Sequence, residues 1–140
     1  MANKSTSSNI PKYFVLGFFA FGAFMVFNQL TSDTDKTQAV TVKVPDLSSV
    51  ALEGKTLFEK NCLACHGKNA AGTGQGPPFI NPIYRPDHHG DQAFVIAAMQ
   101  GVRAHHWRFG NMPAQPQVKP DEIQKIVIYV RALQRANGIN

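Results

Sequence analysis

Two cysteines and a histidine near the middle of the chain have types and spacing that could do chemistry. Residues 62–66 read CLACH, and the sequence contains no other cysteine. This C-x-x-C-H pattern is typical of covalent haem attachment. Thiols one helical turn apart, at Cys62 and Cys65, can both reach the vinyl groups along one edge of a porphyrin. The next residue, His66, is then presented to the iron as a ligand.

Three other uses of these cysteines fit the sequence less well. A zinc site needs further ligands, and neither a second C-x-x-C pair nor histidines at finger-type spacing are present. A thioredoxin-like dithiol would follow a strand and open a helix, and no such context is visible. A plain disulfide would leave His66 unexplained. We therefore expect one covalently bound haem c.

A second stretch, RAHHWRFGNMP at residues 103–113, offers ligands for the other face of the iron. Met112 precedes a proline, which disfavours the α conformation, so its thioether should lie in an extended loop that can reach the iron. A methionine–histidine ligand pair would raise the reduction potential. The remaining candidate ligands are Met99, His88, His89, His105 and His106.

The two histidine pairs, His88-His89 and His105-His106, leave several interpretations open. They could face solvent or bind haem propionates, one of them could replace methionine on the iron, or both pairs could form a second site for copper or zinc. The sequence does not bring the pairs together. Trp107 and Arg108 suit propionates by type, since one is an indole donor and the other a permanent cation.

The amino-terminal part of the chain predicts a membrane anchor. Residues 13–30 carry no charged side chain and would form a helix roughly 27 Å long, close to the thickness of a bilayer core. Lysines precede this run and aspartates follow it, so residues 1–12 should be cytoplasmic and the remainder periplasmic. A cleaved signal peptide and a buried core helix are the alternatives.

The length and the charge of the chain limit its possible domain organisation and partners. A chain of 140 residues suits one small domain plus an appendage, which we place at residues 47–140, after a polar linker at 31–46. The net charge is +5 with no dense run of like charges, which argues against nucleic acid as a partner.

Local signals predict three helices in that domain. Ser48 or Ser49 can cap the first, whose apolar positions include Val50 and Phe58. Residues 91–100 form the second, which ends before a glycine. The third begins at Pro120, carries apolar residues at helical spacing and stops near an Asn-Gly pair.

Residues 52–68, GQGPPF at 74–79, NMP at 111–113 and the final helix together resemble a small class I cytochrome c, in a membrane-anchored bacterial form. The resemblance covers residues 47–138. It implies an all-α fold, with about three to four helices around the covalent haem, preceded here by the single transmembrane helix.

The resemblance also implies roles for particular residues. Met112 occupies the position of the family's ligand methionine, and the carbonyl of Pro77, or of Pro78, would accept a hydrogen bond from His66. A close crossing of the first and last helices would place Gly54 and Phe58 against Tyr129 and Leu133.

The expected function is a membrane-tethered, periplasmic, monohaem electron carrier of the inner membrane with His66 and Met112 as axial ligands. It is not expected to be an enzyme by itself, and would pass electrons between donor and acceptor proteins, free or within a larger oxidoreductase complex. One alternative is a haem enzyme or gas sensor with a labile sixth position. Another is a copper-handling accessory cytochrome that uses the two histidine pairs.

Overall fold

The computed structural model describes the backbone of residues 10–32 and 39–140, and, within the first range, the side chains of residues 13–28. The chain divides into two compact units, with the boundary after Lys36. In the first unit, helix α1 spans Ile10–Ser32 and the side chains of residues 13–28 are exposed. Across the described residues, no helix is both long enough and apolar enough to cross a membrane.

Parts of the amino-terminal prediction fall on residues that cannot be compared with the structure. The side chains of residues 1–12 and 29–38 lie outside the described ones. They include the predicted cytoplasmic terminus, the end of the predicted span and most of the predicted linker.

The second unit is helical, which confirms the all-α expectation. Its helices are α2 (Ser49–Asn61), α3 (Leu63–His66), α4 (Asp91–Gln100) and α5 (Pro120–Ala136), with short 3-10 turns at Lys68–Ala70 and Pro82–Tyr84. Within residues 39–140 the only β pairing is a single antiparallel bridge between Val102 and Met112.

The helix boundaries follow from local chemistry. The Ser48 hydroxyl accepts a hydrogen bond from the Ala51 amide at 3.3 Å and so caps α2. At the start of α5 the Glu122 carboxylate accepts one from the Lys119 amide at 2.9 Å, and Pro120 takes the first helical position. Helix α4 ends where Gly101 adopts a positive φ of 79°.

The core of this unit lies where α2 crosses α5. A methyl group added at Gly54 would overlap the carbonyl oxygen of Lys125, so the two helices approach at backbone distance only because residue 54 is a glycine. Next to this point the Phe58 and Tyr129 rings meet edge to face, with centroids 5.6 Å apart. Val50, which the sequence assigned to the apolar positions of α2, is exposed instead.

A polar residue is buried on the inner face of α5. Arg131 is 6% exposed and donates hydrogen bonds to the Asp91 carboxylate, the Gln134 amide oxygen, and the backbone carbonyls of Tyr84 and His89. Because each of these groups accepts from the charged guanidinium, Arg131 joins α5 to the segment before α4 and to the first residue of α4.

Residues 39–46, which belong to the expected linker, pack along the helical unit. The Val40 amide donates to the Ala71 carbonyl at 2.9 Å. The Asn137 side chain bonds both the amide and the carbonyl of Lys43, at 2.9 and 2.8 Å. These pairings are long-range, so hydropathy patterning gives no sign of them.

Candidate functional site

The helices and loops of the second unit enclose one large cavity of about 560 Å³. This lies within the range of about 300–1,000 Å³ typical of pockets that hold cofactors. Its lining is mainly apolar and includes side chains from α4 and α5. Among the sequence-predicted site residues, those that line it are Cys62, His66, Pro77, His89, His105, His106, Trp107 and Met112.

The two cysteines lie at the junction of α2 and α3. Cys62 ends α2 and Cys65 lies within the single turn of α3, which the His66 amide closes by donating to the Cys62 carbonyl at 2.9 Å. Both thiols are free and partly buried. Burial, and secondly the charge of Cys65, raises the pKa of Cys62 to about 11.

His66 is buried and held in one orientation. Its Nδ1 atom lies 3.0 Å from the Pro77 carbonyl oxygen, which can only accept, so Nδ1 carries the proton and Nε2 keeps its lone pair. Burial lowers the pKa of His66, against the opposing effect of the Pro77 bond. The Phe79 ring stacks on the imidazole, with centroids 4.1 Å apart.

Residues 62–79, the proximal segment, fold tightly back on the cysteine turn. The Gly72 amide donates to the His66 carbonyl at 2.7 Å, and the Thr73 hydroxyl donates to the Cys65 carbonyl. A Cβ atom at Gly76 would lie 2.8 Å from the Cys65 carbonyl oxygen, so this turn admits only glycine without a shift of the backbone. The glycine-rich loop therefore fixes the backbone of the C-x-x-C-H turn.

Residues 101–118, the distal segment, carry Met112. The Val102 and Met112 amides and carbonyls bond each other in both directions at 2.9 Å, and the Gln115 amide donates to the Ala98 carbonyl at 2.7 Å. Gly101 has a positive φ, and a Cβ atom there would lie 2.6 Å from the Met112 carbonyl oxygen. The distal segment thus holds Met112 against the end of α4, where its half-buried side chain contributes to the cavity wall.

The structure separates the two residues that the sequence suggested as propionate partners. Trp107 lines the cavity, but its indole N–H donates to the Tyr84 hydroxyl at 3.0 Å. Arg108 is exposed and does not line the cavity, whereas Arg103 does. Sequence reasoning missed Arg103, although it lies in the same RAHHWRF stretch and has the same chemistry.

The two histidine pairs, which the sequence could not bring together, meet in the structure. Neighbouring rings among His88, His89, His105 and His106 have centroids between 4.2 and 6.1 Å apart. They form what we call the histidine cluster, at the rim of the cavity.

The groups around the cavity fit a covalently held haem. Two free thiols one turn apart suit the vinyl groups, and a buried imidazole with a free Nε2 suits the iron. A thioether from a separate segment reaches the same apolar cavity. Such a set of groups can hold an iron with a nitrogen and a sulfur ligand in a water-poor environment.

Comparison with known proteins gives the same family. The sequence model of the cytochrome c family matches residues 51–134. A relative from Azospirillum sp. (strain B510), named "Cbb3-type cytochrome c oxidase subunit CcoP", is 32% identical over 129 residues, which cover 84% of this chain and 40% of that protein. One from Azorhizobium caulinodans, named "Cbb3-type cytochrome c oxidase subunit FixP", is 26% identical over 117 residues, or 81% of this chain and 38% of that protein.

The chain spans about two fifths of the length of these relatives. No solved structure matches it significantly. Because the family model covers residues 51–134, which include the C-x-x-C-H turn, the Met112 loop and most of α5, this chain belongs to the cytochrome c family.

Proposed function

We propose that the chain is a monohaem electron carrier in which Cys62 and Cys65 hold the haem covalently and His66 and Met112 are the axial ligands. The observation that carries the proposal is the convergence of Cys62, His66 and Met112 on one apolar cavity. The sequence contains a single C-x-x-C-H motif, which supports one haem per chain.

Each proposed ligand has a distinct role. His66, with its Nδ1 proton held by the Pro77 carbonyl, would present Nε2 to the iron in a fixed orientation and with raised basicity. The soft thioether of Met112 favours the reduced metal and so raises the reduction potential. Bound there, haem would supply a one-electron couple at its iron.

The surroundings of the ligands support electron transfer rather than chemistry on a substrate. With both His66 and Met112 bound, the haem iron would have no open position for a substrate. The proximal segment also restrains His66 from moving with a change of charge, because hydrogen bonds hold both its ring and its backbone. A small rearrangement between the two oxidation states favours fast exchange with transient partners.

The axial ligation can be tested with the full-length, haem-loaded protein. Methionine sulfur bound to ferric haem gives a weak near-infrared absorption band. We expect this band in the wild type and its loss in Met112→Ala. Met99→Ala is the matched control, because Met99 lies on α4 and is 48% exposed, and it should keep the band. Absence of the band from the wild type, or its retention in Met112→Ala, would refute methionine ligation and favour a haem enzyme or sensor with a labile sixth position.

We further propose that the apolar run at residues 13–30 tethers the domain to the inner membrane, with the domain in the periplasm. Its support is the absence of charged side chains from this run and the exposure of the side chains at 13–28. The tether would raise the effective concentration of the carrier near membrane partners. Carbonate-washed membranes should retain the full chain and release a version that begins at residue 39, and release of both would exclude the tether.

The names of the relatives support a redox partner in a cytochrome c oxidase. We propose that the chain exchanges electrons with such an oxidoreductase, as a tethered carrier or as one of its subunits. Membranes dissolved in mild detergent and separated on a native gel distinguish these two arrangements. A haem-stained band at the mobility of the isolated chain indicates a carrier, and one at the mobility of a large complex indicates a subunit.

A further inference from the structure

The histidine cluster does not take part in the proposed axial ligation, yet its geometry is that of a ligand set. The ligand nitrogens of His88, His89 and His106 all lie within 4.8 Å of one another. In a tetrahedral site with metal–nitrogen bonds of about 2.0 Å, neighbouring ligand atoms are about 3.3 Å apart. His88 and His106 are exposed, so their rings can rotate and bring the ligand nitrogens closer together.

The three side chains are prepared for metal binding to different degrees. His89 is half-buried, and its Nδ1 atom lies 2.6 Å from the Ile83 carbonyl oxygen. Since a carbonyl only accepts, Nδ1 carries the proton and Nε2 is left with a lone pair. A backbone carbonyl bonded to the far nitrogen is the usual support of a metal-binding histidine. Among the described residues, the ring nitrogens of His88 and His106 form no hydrogen bond that metal binding would have to break.

The backbone under the cluster is anchored. The His89 carbonyl accepts a hydrogen bond from the buried Arg131, and the His88 and His89 amides donate to the Arg85 carbonyl at 3.1 and 2.8 Å. On the other side, the Ala104 amide donates to the Asn111 side chain at 2.9 Å and closes the loop that carries His106. Two separately fixed loops therefore present imidazoles to the same point.

We propose that His88, His89 and His106 form a second metal site, for a divalent transition-metal ion, at the rim of the cavity. Three imidazole nitrogens suit Cu²⁺ and Zn²⁺, and Cu²⁺ binds more tightly by the general order of stabilities. This site goes beyond the proposed electron-carrier function and does not depend on it. The ion joins the segment before α4 to the distal segment and so restrains the loop that carries Met112.

The fourth histidine has a different position. The His105 Nδ1 atom lies 2.8 Å from the Arg103 carbonyl oxygen, and its ring centroid is 6.1 Å from that of His89. Its ligand atoms fall outside the group of three. His105 is therefore the matched control, since it is an exposed histidine next to a proposed ligand.

The test uses the full-length, haem-loaded, ferric protein without a histidine tag. The protein is incubated with Cu²⁺ or Zn²⁺ separately and dialysed against metal-free buffer, and bound metal is measured by elemental mass spectrometry. We expect one ion per chain, with nitrogen hyperfine structure in the electron paramagnetic resonance spectrum of the copper form. His88→Gln and His106→Gln should each weaken binding by at least about 100-fold, and His105→Gln by less than about 10-fold.

Several results would overturn the proposal. One is less than one retained ion per wild-type chain. Another is metal binding by the His88→Gln/His106→Gln double variant that equals binding by the wild type. A third is a larger loss of metal affinity in His105→Gln than in His88→Gln. The haem spectrum and the melting temperature of each metal-free variant show whether it is folded. A metal-dependent rise in melting temperature in the wild type, but not in the double variant, is the second readout. If the near-infrared methionine band is absent from the metal-free wild type, the axial assignment is refuted, and the proposal of this second site is unaffected.

Discussion

The proximal segment carries hydrogen bonds along its whole length, whereas those of the distal segment lie mainly at its base. In the former, both the His66 ring and its backbone are bonded within the segment. In the latter, the Val102–Met112 pair closes the base, and the exposed tip is joined to another element by the Trp107–Tyr84 bond. The wall proposed to take the covalent bonds is therefore fixed by its own chain, whereas the tip of the distal segment also depends on a contact with another element.

The largest expected difference between the two segments concerns haem retention. Cys62→Ser should remove one of the two thioether bonds and reduce covalent haem strongly, because the turn then holds only the Cys65 thiol. Met112→Ala should leave covalent haem unchanged. Haem staining after denaturing electrophoresis measures both. Equal losses in the two variants would mean that attachment requires the distal segment as well.

Arg131→Met tests how far the rim of the cavity depends on α5. The variant leaves the Tyr84 and His89 carbonyls without their charged donor, and we expect a loss of about 3 kcal/mol in the free energy of unfolding. Denaturant titration measures it. Arg135→Met is the control, because Arg135 is exposed one turn later on the same helix. Similar losses in both variants would show that the buried guanidinium contributes nothing specific.

Gly76→Ala tests whether the proximal segment is as tightly closed as its hydrogen bonds indicate. Because a Cβ atom would meet the Cys65 carbonyl, we expect the free energy of unfolding to fall by about 2 kcal/mol. Gly74→Ala lies in the same loop with open space around it and should change that quantity by less than about 1 kcal/mol. A tolerated alanine at residue 76 would remove the contrast between the two segments.

Trp107→Phe gives the smallest expected effect and concerns the tip of the distal segment. It removes the indole donor to Tyr84 and should cost about 1 kcal/mol. The near-infrared band should then disappear at a lower temperature than in the wild type, before global unfolding. Tyr84→Phe should have the same effect, and the double variant no further effect, if the two residues act through one bond.

Short-range signals in the sequence predicted much of the fold. The Ser48 cap, the span of α4 and the start of α5 at Pro120 all depend on residues within a turn of the boundary. The family resemblance predicted the crossing at Gly54, although its closest partner is the Lys125 backbone. These features are determined by residue types that tolerate few other conformations.

The features that the sequence did not predict depend on long-range contacts. Arg131 is buried because four acceptors surround it, three of them from distant segments, although its spacing from Val127 and Gln134 on α5 was an available signal. The histidine pairs meet because the segments that carry them are folded onto one rim, which a linear pattern cannot show. Arg103 rather than Arg108 lines the cavity because loop geometry, and not residue type, decides which cation points inward.

Trp107, which is bonded to Tyr84, can serve as an intrinsic fluorescent reporter of the distal segment. Trp107 is the only tryptophan in the sequence, and it lies in the wall of the cavity proposed to hold the haem. Haem absorbs where indole emits, so the fluorescence of a nearby tryptophan is quenched by energy transfer. Emission at this one position would therefore rise when the tip of the distal segment opens, and the opening rate could be followed in the unlabelled protein.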